Sequence, residues 1–105
     1  MPYLEHEAQY REAARQYLSR GLAPAQFVQT FLHQWRLDRD EQFRDIEAGQ
    51  ATSKEERALC SVLDEIMVAC DCYEPQPIGK ADMDAKEFYA RVKNLATSRW
   101  PEIGP

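Results

Sequence analysis

Between positions 64 and 84 the chain sets Asp64, Glu65, Asp71, Glu74, Asp82 and Asp84 against one base, Lys80. Carboxylates at that density have two chemical uses: as a close pair they pass a proton, and as a field they meet a cation or a basic partner. The whole chain has 18 acidic and 13 basic residues, so the remainder holds twelve of each and the net charge of −5 belongs to this stretch. A neutral body with one acidic region predicts a surface that meets something positive. A solvated face kept soluble by its charge is the plain alternative.

Proton chemistry is the weaker of the two uses. Asp64 and Asp71 are seven residues apart, which on a helix separates their backbones by about 10 Å, and neither has a basic residue beside it to orient it. Phosphate-cradling glycine loops, a His-Glu-x-x-His pair, a Gly-x-Ser-x-Gly elbow and the Glu-x-x-His pairs of di-iron bundles are all missing from the sequence. The expectation is a protein without enzymatic activity and without a cofactor.

Metal binding is not expected either. Cys70 and Cys72 lie about 200° apart on a helix, while His6 and His33 come from other segments at no ligand-like spacing. Cys70 reads as a small core residue, and Cys60 and Cys72 as partly exposed thiols of ordinary reactivity. An odd cysteine count suits a reducing compartment, and the start Met-Pro-Tyr-Leu-Glu-His-Glu lacks the basic and apolar parts of a secretory signal, so the expected location is the cytoplasm. No apolar run approaches the roughly 20 residues of a membrane span. The acidity argues against direct contact with nucleic acid, which needs basic patches.

The elements that must hold these residues are helices. With 105 residues and 44% apolar content the chain forms one domain, residues 1–105, with a single core. Its glycines and prolines stand at the ends of four uninterrupted segments. The first is expected from about Leu4 to Arg20, with Tyr10, Ala14, Tyr17 and Leu18 on one side and Gly21 as its stop. Pro24 opens the second, whose core face is Phe27, Val28, Phe31, Leu32 and Trp35. Beyond Trp35 the text turns charged; Phe43 and Ile46 keep a helical spacing, and the helix either continues or restarts after a break near Asp38.

Overlapping capping boxes, Thr52 to Glu55 and Ser53 to Glu56, start the third helix, and Leu59, Val62, Leu63, Ile66, Cys70 and Tyr73 form its apolar stripe. Pro75, Pro77 and Gly79 make the following loop. A third box, Asp84 to Glu87, opens a last helix with Phe88, Val92 and Leu95 inward and Pro101 as terminator. Short connections and no strand-like alternation predict an all-α, antiparallel four-helix bundle. Trp35 and Trp100 are expected in the core or at its edge.

On the wheel of the third helix Asp64 and Asp71 share a stripe about 120° to 140° from Leu59, and Glu74 lies toward them at about 60°. Asp71 and Glu74 stand at a helix C-terminus, where the macrodipole disfavours carboxylates by up to about 1 kcal/mol. That conflict with local stability favours a partner over solvation. Tyr73, last on the apolar stripe, reads as a core residue, an interface residue, or both.

The stretch Tyr17-Leu-Ser-Arg-Gly-Leu-Ala-Pro-Ala-Gln-Phe27, the run from Phe31 to Trp35, Leu63-Asp-Glu-Ile-Met-Val-Ala-Cys-Asp-Cys-Tyr-Glu-Pro75 and the Asp82-Met-Asp84 entry to the last helix together resemble the colicin D immunity protein family, over about Glu7 to Leu95. The resemblance implies a small four-helix immunity-type domain that binds the basic nuclease domain of a bacteriocin, typically tRNA-cleaving, and covers its active site with acidic groups standing in for RNA phosphates. It places that contact on Asp71, Tyr73 and Glu74. Gln76 departs from the family's pattern, which often has another acid in this loop. The expected contact set is therefore Asp64, Asp71, Tyr73, Glu74, Asp82 and Asp84, and the expected partner a cognate nuclease toxin domain. The other reading is an intracellular helical adaptor or oligomerising bundle with an incidental acidic face.

Overall fold

The computed structural model describes residues 1–80 and 82–104. It is an all-α bundle: α1 (Pro2–Glu5), α2 (Glu7–Leu18), α3 (Pro24–Glu47), α4 (Lys54–Cys72) and α5 (Ala85–Arg99), closed by a 3-10 turn, Pro101–Ile103. The four long helices run up and down in chain order, and α2 packs on α5 to close the ring.

The core is aromatic because α2, α3 and α5 each turn rings inward. Tyr17 stacks on Phe27 with centroids 4.8 Å apart, and Phe88 packs against both. Leu59, Leu63, Ile66 and Cys70 fill the α4 side, as the stripe predicts, with Val62 and Tyr73 half-buried at its margins. Burial pushes the Cys70 thiol up to about 12.

The first helix departs from expectation. It begins at Pro2 and is interrupted at His6, whose φ of −109° and ψ of 13° are not helical. Long-range contacts account for the interruption. The Leu4 N–H donates to Glu56 Oε1 at 3.0 Å, and His6 Nδ1 lies 2.7 Å from Asp38 Oδ1. A helix's first N–H groups have no internal acceptor, so the Glu56 carboxylate satisfies one of them and ties α1 to α4. Burial pushes the Glu56 carboxyl up, against that hydrogen bond.

Nor is Gly21 the left-handed stop of α2. That residue is Arg20, with φ of 68°, and Gly21 follows as the position whose N–H reaches back to Gln16 O at 2.7 Å. Arg20 and Gly21 thus form a Schellman end with a non-glycine at its strained position. The Arg20 guanidinium lies 3.8 Å above the Tyr89 ring, and the Tyr89 hydroxyl donates to Leu18 O at 2.5 Å. These contacts hold the strained turn in place. At the end of α3 the same device uses Gly49, with φ of 87°.

α3 is continuous through Asp38, which resolves the alternative left open by the sequence. Asp38 is 1% exposed and is met by His6 Nδ1, the Tyr10 hydroxyl at 2.6 Å and Gln34 Nε2 at 3.1 Å. A residue that reads as a helix break is a buried polar side chain with its hydrogen bonds satisfied. The caps of α4 and α5 are one-sided: Ser53 and Asp84 accept from the N–H of Glu56 and Glu87, but Glu56 is turned to Leu4 instead of closing a box.

Candidate functional site

The acidic face is positioned by the opposite side of α4. Because Leu59, Leu63 and Ile66 are driven into the core, the wheel turns Asp64, Val68 and Asp71 outward along one line. At the end of α4, Tyr73 leaves the helix in extended conformation and pairs with Met83: Glu74 N–H donates to Met83 O at 2.8 Å and Met83 N–H to Cys72 O at 2.7 Å. That pair pinches the base of the connecting loop and brings Glu74 alongside the entry to α5. The Tyr73 ring packs on Phe88 at 5.0 Å, so the tyrosine is anchored at the edge of the core and half-exposed.

The six expected contact residues are gathered in one region, and they differ in what else they do. Asp71 is exposed and has no side-chain partner among the described residues. Glu74 is exposed too, its Oε1 meeting only the Gln76 N–H at 3.5 Å. Asp64 accepts from the Trp35 indole N–H at 3.2 Å and from the Cys60 thiol at 3.7 Å, which joins α3 to α4. Burial and then the Asp64 charge push the Cys60 thiol up to about 11. Asp82 folds the loop, its Oδ2 accepting from the N–H groups of Ile78 and Gly79 at 3.1 and 3.0 Å. Asp84 caps α5 through Glu87 N–H at 2.9 Å. Asp82 and Asp84 thus hold up the region that Asp71 and Glu74 present, and Asp64 ties α3 to α4 while remaining exposed on the same face.

Electrostatically this end of the molecule is unpaired. Among the described residues the ion pairs are Met1–Glu5, Arg15–Glu12, Arg39–Asp40 and Arg99–Glu7, and these, like the His6–Asp38 hydrogen bond, lie outside positions 64–84. Chemically, open carboxylates on a helix face offer acceptors for lysine or arginine. They do not make an acid–base pair, since nothing orients Asp71.

No family model matches the chain, and neither a curated protein nor a solved structure matches it.

Three residues of this region were not singled out from sequence. Val68 is 53% exposed in the middle of the carboxylate face. Its position on the polar side of the wheel was a readable signal. Met83 and Arg91 join it from beyond the loop, lining the groove between α4 and α5 with Asp64, Glu65 and Ala69. Their approach depends on how the loop folds, and no spacing reveals it. Among the described residues no helix is long and apolar enough to cross a membrane.

Proposed function

We propose that this protein is a cytoplasmic immunity protein: a non-catalytic bundle that binds a basic nuclease toxin domain one-to-one and denies it RNA. One observation carries the reading. Asp71 and Glu74 stand exposed at the C-terminal end of α4, without an ion pair among the described residues, on a chain that is neutral outside positions 64–84. Carboxylates at that helix end oppose the macrodipole, so their presence is better explained by a partner than by stability. The resemblance to colicin D immunity proteins supports the same surface and names the class of partner. Exposed carboxylates steer a cationic partner toward encounter and then pair with its lysines or arginines, so inhibition is by occlusion.

Co-expression tests it. If the gene immediately upstream encodes a large secreted protein with a basic C-terminal domain, that domain is expected to arrest growth alone and to be neutralised by this chain. Failure both to rescue growth and to form a complex would reject that pairing. A second reading, an adaptor or oligomerising bundle, draws on a different surface, since Leu37, Phe43 and Ile46 are exposed on the second half of α3. Self-association of the purified chain, lost on Phe43→Ser with Ile46→Ser, would favour it.

A further inference from the structure

The groove between α4 and α5 has a volume of about 310 Å³, with walls of Val68, Ala69 and Met83, Asp64 and Glu65 on the α4 rim and Arg91 opposite. Val68 stands four residues after Asp64 and three before Asp71, an exposed branched apolar side chain on a carboxylate face. Helix propensity gives no reason for valine at such a position, since straight-chain residues serve a solvated face better. The rim is polar in a definite sense. Two carboxylates line one edge, and the other carries an arginine that has no ion pair among the described residues.

We propose that this groove takes one apolar side chain of the basic partner, presented beside a lysine or arginine that meets Asp64 and Glu65. The inference rests on the toxin-binding reading and adds to it where the anchor sits. Charge complementarity selects the occupant: the α4 rim requires a cation next to the inserted side chain, and Arg91 requires a carbonyl or carboxylate on its far side. This size is at the lower end for small-molecule pockets and suits a single aromatic or branched aliphatic group. An apolar insertion ringed by charge is also how interfaces concentrate their binding energy. Steering by carboxylates sets the association rate, while desolvation of Val68 and Met83 sets the lifetime of the complex.

The test is calorimetric titration with the upstream-encoded C-terminal domain at several salt concentrations. Val68→Ser, on an exposed helix face, is expected to weaken binding by about 10- to 100-fold while leaving the salt dependence unchanged. Asp64→Asn with Glu65→Gln is expected to weaken binding mainly at low salt and to flatten the salt dependence. If Val68→Ser binds within twofold of the unmodified chain while Asp71→Lys with Glu74→Lys abolishes binding, the groove is empty in the complex and the toxin-binding reading stands. If the unmodified chain does not bind the domain, both fall together.

Discussion

Asp38 lies in the middle of α3, 1% exposed, hydrogen-bonded to His6 Nδ1 and accepting from the Tyr10 hydroxyl and Gln34 Nε2. Asp71 lies in the last turn of α4, exposed, with no partner among the described residues. The first carboxyl is costly to bury, and its three hydrogen-bond partners offset that cost while locking the α1–α2 junction and α2 to α3. The second holds nothing together and stands where the helix dipole repels it. Glu7 belongs with Asp38: it accepts from Arg99 Nε and the Trp100 indole, fastening the start of α2 to the end of α5. One group of acids is committed to architecture, and the other is left free for contact.

The largest effect expected from this contrast is at Asp38. Asp38→Ala strands the buried Tyr10 hydroxyl and removes the contacts to His6 and Gln34, and should cost about 3 kcal/mol, lowering Tm by about 10 °C or more. A loss under about 1 kcal/mol would put Asp38 in the same class as Asp71. Asp84→Ala removes a cap and should cost about 1 kcal/mol in urea unfolding, whereas Asp71→Ala should cost nothing measurable. Equal losses for these two would erase the distinction between supporting and presenting acids.

Acid titration sharpens the contrast at Glu7. Burial pushes its carboxyl up, but the hydrogen bonds from Arg99 and Trp100 together with the Arg99 charge outweigh burial, and the net shift is below the ordinary value of 4.5. A lowered carboxyl lends stability that is fully present above that ordinary value and disappears as pH falls through the lowered one. Glu7→Gln should therefore flatten the acid limb of stability below about pH 4.5; an unchanged limb would mean that the clamp carries no weight. Asp71→Lys with Glu74→Lys should not destabilise the fold, giving instead a gain of at most about 1 kcal/mol from relieving the dipole. A clear loss would show that these acids support the fold after all.

Local signals made much of this readable in advance. Ser53 and Asp84 start α4 and α5 where their side chains cap, and the apolar spacing of Leu59, Leu63 and Ile66 oriented the acidic face without any knowledge of neighbours. Asp38 was illegible because its partners His6 and Tyr10 come from the α1–α2 junction and from α2, far earlier in the chain, and a charge without visible partners reads as a break. The interruption at His6 has the same origin, since Glu56 and Asp38 hold the two sides of it. Arg20 took the conformation expected of Gly21 because Tyr89, on α5, holds its side chain. At the acidic end the sequence placed Asp71 and Glu74 correctly on the surface, but the loop-folding work of Asp82 and the approach of Arg91 depend on the turn at Gly79 and on α5.

The most direct measurement is the affinity of the chain for the basic C-terminal domain of the upstream-encoded protein, with and without Asp71→Lys and Glu74→Lys. One-to-one binding that weakens with salt is expected, with a loss of more than about 100-fold in the charge-reversed variant while its helical signal and Tm are retained. A well-folded variant that binds as tightly as the unmodified chain would contradict it.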